Sequence, residues 1–282
     1  MLETVFTIFI LFALGAAIGS FLHVVAERYM DALTSPNPSF VRRGMRRVLS
    51  PLRRGSWRGL VLGRSYCPHC KKQLTARELV PIFSYIFQKG RCRGCGVRIP
   101  MHYAVLEVLS GILCVAFIAP AFVAGQLLTI PILLYIAACI LIILIHIDAR
   151  SMMLPDVFIL ILGIIALVIA SISGLSGDSM AFGALVGAGV IYAIWLATAG
   201  QGIGFGDVKL MIPLGILFGF QGVVTLLFIA FLVGGLVGVV LLATNSATRK
   251  TAIPFGPFLA GAALVLMVFP SISDRFFVLL GV

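Results

Sequence analysis

Long apolar runs separated by short polar segments make up most of this 282-residue chain. A run of about 18–25 apolar residues is long enough to cross a lipid bilayer as a helix. The pattern gives eight predicted spans, at 4–26, 103–124, 127–147, 153–173, 179–199, 208–219, 221–243 and 252–270. The sixth span is short, and the sequence FGFQG at 218–222 indicates a break before the seventh. The pattern therefore predicts an all-α polytopic membrane protein with about eight transmembrane helices, or seven if the sixth and seventh runs form one span.

The composition agrees with this pattern. Hydrophobic residues make up 61% of the chain and charged residues 11%, and the mean hydropathy is +1.14, whereas soluble domains carry about 25% charged residues. The first apolar run has Glu3 where a signal peptide has basic residues, so we expect it to remain as an anchor. We divide the chain into a first transmembrane helix at 1–26, a basic domain at 27–102 and a transmembrane domain at 103–282.

The basic residues predict the orientation. Sixteen of the 21 Lys and Arg residues lie between Arg28 and Arg98. Cytoplasmic loops beside membrane spans are rich in such residues, so we expect 27–102 to be cytoplasmic and the N-terminus to be outside. A basic segment is also typical of nucleic-acid binding, but its position beside spans favours the membrane interpretation, and we expect no nucleic-acid partner. Residues 31–60 are predicted either to be disordered or to lie on anionic lipid headgroups.

Four of the six cysteines form a pattern that is typical of zinc sites. Cys67 and Cys70 make one C-x-x-C pair, and Cys92 and Cys95 make a second after 21 intervening residues. Two such pairs can direct four thiolates at one point, which matches tetrahedral zinc. A redox pair or two disulfides would use the same residues, but stable disulfides are rare in the cytoplasm. We predict a structural zinc site in which His69 is a bystander, since four thiolates leave no open position.

Three aspartates lie at the ends of predicted spans. Asp148 ends the third span, Asp156 begins the fourth, and Asp207 begins the sixth, within the sequence GIGFGDVK at 202–209. Ionisable groups at membrane depth are costly and are therefore candidates for a functional role. The predicted topology places Asp148 and Asp207 on the same, cytoplasmic side. Two neighbouring carboxylates can act as in an aspartic protease, because one stays protonated as an acid while the other activates water as a base.

Helix capping is the alternative role for two of these aspartates. Asp207 follows glycines and Asp156 follows Pro155, and each precedes an apolar run, which is a favourable N-cap position. Capping is the better interpretation for Asp156. The glycines before Asp207 would also leave room for an extended peptide beside the backbone. From these residues alone, both a cap and a catalytic acid remain open for Asp207.

Six motifs occur in order along the chain: GSFLHVV at 19–25, the two C-x-x-C pairs, LVPIFSY at 79–85 with GRCR at 90–93, a D…LPD segment at 148–156, GFGDVKL at 204–210 and PFGPF at 254–258. Together they resemble the bacterial prepilin leader peptidase/N-methyltransferase family, membrane aspartic proteases of the GxGD type. The resemblance covers most of the chain and implies that Asp148 and Asp207 are the two catalytic aspartates. The chain departs from the family at His23, which replaces Asn, and at ERYM (27–30), which replaces YRLP.

The resemblance also implies an activity, substrates and cofactors. We expect an intramembrane aspartic endopeptidase that removes the basic leader of type IV prepilins or pseudopilins at the cytoplasmic face of the bacterial inner membrane, in pilus assembly or type II secretion. It further implies a cytoplasmic zinc-binding loop, and N-methylation of the new terminus by S-adenosylmethionine. No donor-binding residues are assigned, because the sequence shows no glycine-rich nucleotide-binding fingerprint.

Three alternatives remain from the sequence. The first is a peptidase without methyl transfer. The second is an ion-coupled transporter, although the acids of transporters usually lie near the membrane midplane. The third is a non-enzymatic zinc scaffold, which would explain the cysteines and leave GIGFGDVK without a role.

Overall fold

The computed structural model describes residues 2–34, 65–67, 69–246, 248, 251 and 253–279. Most of this part of the chain is α-helical, with loops and turns between the helices. The cysteine-containing segment also has a 3-10 helix at Ala76–Glu78 and two isolated β-bridges. Its α-helices are α1 Leu2–Thr34, α2 Phe83–Phe87, α3 His102–Val123, α4 Thr129–Ser151, α5 Asp156–Ile172, α6 Gly177–Ala197, α7 Phe205–Ala243, α8 Gly256–Val268 and α9 Ser271–Leu279. Most of the basic segment 31–60, with its expected headgroup contact, lies outside the described residues.

The helices confirm an all-α membrane protein. Within the described ranges, five helices are long and apolar enough to cross a membrane: α1, α3, α4, α6 and α7. A sixth crossing arises if α8 and α9, which meet at 97°, count as one broken span. The helix α5 is apolar but has only 17 residues. This count is lower than eight because α5 is short and because two of the predicted spans lie on the single helix α7.

The helix α7 contains the break that the sequence predicts. It has 39 residues, which corresponds to a length of about 58 Å, twice the thickness of a bilayer core. Gly219 interrupts it with φ 65° and ψ −171°, a conformation that glycine adopts without steric cost. The amide of Phe220 donates to Ser179 Oγ over 3.3 Å. The chain therefore bends at the predicted position while continuing as a helix on both sides.

The first helix is longer than predicted. The apolar run was expected to end at residue 26, but α1 continues to Thr34. The sequence ERYMDALT at 27–34 contains no glycine or proline that would stop a helix, and Pro36 follows it. Within the described residues, the helix therefore continues past the end of the apolar run.

The chain divides into two compact units, Met1–Tyr135 and Ile136–Val282, with the boundary inside α4. In the first unit, α1 packs closely on α3. A Cβ atom on Gly19 would lie 2.6 Å from Ser110 Cβ, so the helices approach each other at a glycine. Ser110 Oγ donates to the Gly15 carbonyl oxygen over 2.8 Å and lies 2.9 Å from the Tyr135 hydroxyl. Small residues and hydroxyl groups of this kind are typical of contacts between membrane helices.

A buried glutamate connects α3 to the segment before α2. Glu107 Oε2 accepts a hydrogen bond of 2.7 Å from the backbone N–H of Ile82. Ile82 has φ 63°, which is costly for a β-branched residue. The hydrogen bond helps to hold this turn, because the buried carboxylate of Glu107 needs a donor. In the first unit, the cysteine-containing segment is therefore attached to a membrane helix through its backbone.

In the second unit, α6 and α7 pack backbone against backbone. A Cβ atom on Gly183 would overlap the Gly215 carbonyl oxygen, and one on Gly215 would overlap the backbone of Gly183 and Ala184. One turn away, a Cβ atom on Gly187 would lie 2.8 Å from the end of the Met211 side chain. These glycines let α7 leave the short loop at 198–204 and run back along α6, which fixes the position at which α7 begins.

Candidate active site and cysteine cluster

The segments that carry the predicted catalytic aspartates meet in the second unit. Asp148 lies in the last turn of α4 and is 5% exposed, and Asp207 lies in the first turn of α7 and is 4% exposed. The carboxylate of Asp148 is close enough to that of Asp207 to interact with it electrostatically. The end of one helix and the start of another thus bring two acidic side chains into one buried place.

Gly256 lies between the two aspartates. A Cβ atom at this position would lie 2.5 Å from Asp148 Oδ2 and 3.2 Å from Asp207 Oδ1. Gly256 is the first residue of α8, so the PFGPF motif brings the N-terminus of a third helix to the pair. Any side chain at residue 256 would displace the carboxylates.

Asp207 is not the N-cap of its helix. The N-cap is Gly204, and Asp207 is three residues further on. Its Oδ2 reaches back to accept a hydrogen bond of 3.2 Å from the Gly204 N–H, as the acidic residue of a capping box does. The other oxygen, Oδ1, is the one nearest Gly256. One oxygen therefore secures the start of α7, and the second faces Asp148 and Gly256.

Asp156 has a different role from the cap that we predicted. Pro155 is the N-cap of α5, and Asp156 is the first residue of the helix. Its Oδ1 accepts a hydrogen bond of 2.8 Å from Lys209 Nζ. The N-cap prediction failed because the fixed φ of proline suits the helix entrance and because a lysine from α7 binds the carboxylate. Asp156 thereby joins α5 to α7 instead of belonging to the buried pair.

The glycines before Asp207 have a packing role that the sequence did not reveal. A Cβ atom on Gly206 would lie 3.1 Å from Leu154 Cβ, so this glycine faces the leucine of the LPD segment. A Cβ atom on Gly202 would lie 2.9 Å from the Thr198 side chain. Room for a peptide was the expected reason for these glycines. Contacts within the protein already account for Gly202 and Gly206.

Aromatic side chains border the start of α7. The rings of Trp195 and Phe205 meet edge to face with centroids 5.4 Å apart, and Tyr192 stacks on Trp195 at 5.8 Å. Lys209 Nζ lies 5.5 Å from the Phe205 ring centroid. Sequence reasoning did not single out these residues, although Phe205 and Lys209 lie within GIGFGDVK. Their spacing of three to four residues on α6 and α7 was the available signal.

The four predicted zinc ligands come together in the first unit. The sulfurs of Cys67 and Cys95 lie 3.9 Å apart, those of Cys70 and Cys92 lie 4.0 Å apart, and all four lie within 4.8 Å of one another. Zinc–sulfur bonds of about 2.3 Å space tetrahedral sulfurs about 3.8 Å apart, whereas a disulfide bond is about 2.05 Å long. The four cysteines are free thiols and their arrangement could hold a metal ion. His69 is exposed and does not belong to this group.

The two C-x-x-C turns have the same backbone design. The amide of Lys71 donates to Cys67 O and that of Gly96 to Cys92 O, both over 2.9 Å. Each residue follows the second cysteine of its pair, and each has a positive φ, 58° for Lys71 and 70° for Gly96. The backbone N–H of Gly94 donates to Cys92 Sγ over 3.3 Å and lowers the pKa of Cys92 to about 6, which favours the thiolate that a metal requires.

Glu78 supports the cysteine segment. Its Oε1 accepts a hydrogen bond of 3.0 Å from Lys72 Nζ, and its Oε2 accepts one of 2.9 Å from the Thr75 N–H. The Thr75 backbone N–H and the Lys72 side chain hold the pKa of Glu78 at about 2. This carboxylate therefore connects the 3-10 helix at Ala76–Glu78 to Lys72, which lies two residues after Cys70.

Comparison with protein families gives matches to both units. The profile of the bacterial peptidase A24 N-terminal domain matches residues 13–121, and that of the type IV leader peptidase family matches residues 135–239. The interval between the matches contains the boundary between α3 and α4. Comparison with solved structures finds no significant match.

Curated relatives extend the similarity over most of the chain. A prepilin leader peptidase/N-methyltransferase of Aeromonas hydrophila is 33% identical, over 77% of this chain and 76% of the relative. A protein of the same name from Pseudomonas aeruginosa is 32% identical over 90% and 88%, and one from Bacillus subtilis is 29% identical over 78% and 87%. These relatives and the two matching profiles show that this multi-pass membrane chain belongs to the type IV leader peptidase family.

Proposed function

We propose that this protein is an intramembrane aspartic endopeptidase that removes the leader of type IV prepilins or pseudopilins and then methylates the new N-terminal amine. The observation that carries the peptidase proposal is the position of Gly256, against which the carboxylates of Asp148 and Asp207 both lie. The family and the names of the relatives point to the same activity.

The two aspartates have different roles in hydrolysis, one as a base and the other as an acid. One carboxylate accepts a proton from a water molecule as the water oxygen attacks the scissile carbonyl carbon, and the protonated partner donates its proton to the carbonyl oxygen. When the carbon–nitrogen bond breaks, the aspartate that accepted the proton from water gives it to the leaving amine nitrogen, and the other aspartate takes back a proton from a hydroxyl group of the intermediate. The Asp148 carboxylate lies against Gly256, and the Gly204 N–H holds that of Asp207. Fixed carboxylates need little reorganisation during the reaction.

The basic segment supports a cytoplasmic active site. Sixteen of the 21 Lys and Arg residues lie between Arg28 and Arg98, which favours a cytoplasmic location for this part of the chain and an outside N-terminus in the bacterial inner membrane. The aspartates lie at the end of α4 and the start of α7. Both ends are cytoplasmic when α5, with 17 residues at the short end of the range for a membrane span, is counted as a crossing. A prepilin would then keep its basic leader at the headgroups while its apolar stem lies in the bilayer.

Zinc and S-adenosylmethionine complete the proposal. Cys67, Cys70, Cys92 and Cys95 would hold a structural zinc ion. It would fix the fold of a segment in whose described residues, 65–67 and 69–100, Cys67 and Cys92 are the only buried apolar side chains. S-adenosylmethionine supplies the methyl group for the second reaction. The methyltransferase activity follows from the names of the relatives, and no residue of this chain is assigned to the donor.

The peptidase proposal is tested with the purified full-length protein, a prepilin peptide and mass spectrometry. We expect Asp148→Asn and Asp207→Asn each to abolish loss of the leader, because an amide can neither accept the proton from water nor donate one as an acid. Asp178→Asn, at an exposed position in the first turn of α6, is the matched control and should cleave normally. Normal cleavage by Asp207→Asn would refute the assignment.

The methyl transfer is tested in the same reaction. With S-adenosylmethionine present, the cleaved product should gain the mass of one methyl group, and this gain should be absent when the donor is left out. A product that stays unmethylated would show that the protein is a peptidase without methyltransferase activity. Reconstituted vesicles that show proton-coupled flux without cleavage would favour the transporter alternative.

A further inference from the structure

A second group of metal-ligating side chains lies in the first unit, where α1 meets α3. It contains His23 and Glu27 of α1 and His102 of α3, whose ligand atoms lie within 4.8 Å of one another. The peptidase proposed above uses none of them. We propose that these three side chains bind a divalent first-row transition metal ion, with zinc as the ion to test.

The register of the two helices explains why these residues meet. Gly19 faces Ser110 in the antiparallel contact of α1 with α3. Two helical turns further along α1 lies Glu27, and two turns back along α3 lies His102. His23 and Glu27 are four residues apart and so share one face of α1. The helix contact that begins with two small residues therefore ends with imidazole and carboxylate groups.

The distances suit a metal ion. His23 Nε2 lies 3.6 Å from Glu27 Oε1. Metal–nitrogen and metal–oxygen bonds of about 2.0–2.2 Å space neighbouring ligand atoms of a tetrahedral site about 3.3 Å apart. The side chain of His23 is 2% exposed and that of Glu27 is 25% exposed. His23 is thus held in place, while the glutamate can rotate about its side-chain bonds to close the remaining distance.

A helical ion pair between His23 and Glu27 would explain only part of the group. The ring of His102 lies 5.5 Å from that of His23, between centroids, and the Tyr103 ring lies edge-on to His23 at 3.9 Å. An ion pair needs one imidazole, and a second protonated imidazole would repel the first. Two imidazoles and a carboxylate form the donor set of many zinc and iron(II) sites. Ionisable groups near the end of a membrane span are functional candidates by default.

Metal content is the direct test. The full-length protein in detergent is loaded with zinc and freed of loosely bound ions by gel filtration, and zinc is then measured by mass spectrometry. We expect the wild type to retain about two zinc ions per chain, one at the cysteines and one at the histidines. His23→Gln and His102→Gln should each retain about half of the wild-type content. The control His69→Gln changes an exposed histidine and should leave the content unchanged.

Cobalt separates loss of the second site from misfolding. Cobalt bound to thiolates absorbs strongly through charge transfer, so the cysteine site reports whether each variant is folded. We expect this band to persist in His23→Gln while the total bound metal falls. Glu27→Gln, at a partly exposed position, provides a second variant, with the exposed Glu3→Gln as its control. A wild type that retains about one ion, or variants with the wild-type content, would overturn the proposal.

Discussion

Lys209 donates a hydrogen bond of 2.8 Å to Asp156 and so joins the first turn of α7 to the first residue of α5. The lysine is two residues after Asp207 in the sequence. The ion pair therefore connects the helix that carries one buried aspartate to the LPD segment that follows the other. Its contribution is positional, because neither member belongs to the buried pair.

Removal of this ion pair should have a small effect. The side chains of Lys209 and Asp156 are 40% and 36% exposed, so the pair contributes only about 0–1 kcal/mol to stability. We expect Asp156→Asn and Lys209→Gln each to reduce the rate of leader removal by no more than about tenfold, the equivalent of about 1.4 kcal/mol. Initial rates of cleavage, measured beside those of Asp148→Asn, check this.

The double variant Asp156→Asn/Lys209→Gln identifies the cause. If the two residues act only through each other, the double variant should lose no more activity than either single variant. Complete inactivity of Asp156→Asn alone would instead give this residue a role in catalysis.

Gly256→Ala should inactivate the peptidase while the protein still folds. A Cβ atom there would lie 2.5 Å from Asp148 Oδ2, so one or both carboxylates must move. Misplacement by about 1 Å can reduce a rate by about a hundredfold, and we expect a loss of at least that size in the initial cleavage rate.

Gly261→Ala is the control for Gly256→Ala. Both residues lie in α8, but a Cβ atom on Gly261 would have no neighbour within 4 Å. Its activity should be unchanged, and the protein should be slightly more stable, because alanine is a better helix former than glycine. Equal activity of the two variants would contradict the placement of Gly256 against the aspartates.

The contact between α6 and α7 should tolerate no added carbon atom. In Gly215→Ala the new methyl group would overlap the backbone of Gly183, so the helices must separate and lose packing. We expect a loss of stability of about 1–3 kcal/mol, seen as a lower temperature of thermal unfolding in detergent. Gly238→Ala, in the same helix with open space around it, should not lower this temperature.

One residue in each C-x-x-C turn has a positive φ, so we expect Lys71→Gly and Gly96→Ala to have opposite effects on backbone strain. Lys71 has φ 58°, so Lys71→Gly should remove strain of about 1 kcal/mol and leave zinc retention intact. Gly96 has φ 70°, so Gly96→Ala should introduce a similar strain and speed the loss of zinc to a chelator. Release of zinc to a colorimetric chelator measures both. Faster release from Lys71→Gly than from Gly96→Ala would contradict this.

Glu78 should make the cysteine segment sensitive to acid. Its pKa is lowered from 4.5 to about 2, so its stabilisation is complete above pH 4.5 and is lost as the pH falls towards 2. Glu78→Gln lacks this contribution at every pH. The difference between wild type and Glu78→Gln in resistance to an acid-tolerant protease should therefore be large near neutral pH and shrink below pH 4.5. A difference that grows on acidification would contradict the assignment.

The sequence predicted the helices and the break in α7 because these depend on local properties. Apolar length is a property of single segments, and Gly219 lies within the predicted break at 218–222. The apolar run marks the membrane-spanning part of α1, and the helix itself continues beyond residue 26. Hydropathy measures which segments avoid water, and this differs from which backbone can remain helical.

Contacts between distant segments were beyond the sequence pattern. Topology and the resemblance selected Asp148 and Asp207, but neither indicated that Gly256 lies against both. The pairing of Lys209 with Asp156 joins residues 53 positions apart, and Asp156 alone looked like a cap. The ligand group of His23, Glu27 and His102 depends on the register of two helices, which the glycine contacts set and which spacing along one helix does not reveal.

The glycine contact of α6 with α7 has a mechanical consequence for the peptidase. Two helices that touch through their backbones have no flexible side chains between them to rearrange, so they can neither slide nor separate easily. Asp207 therefore lies in the first turn of a helix whose position is fixed by its backbone contact with α6. We expect that a substrate that needs space beside the aspartates gains it by displacement of the start of α8, where Gly256 lies against them.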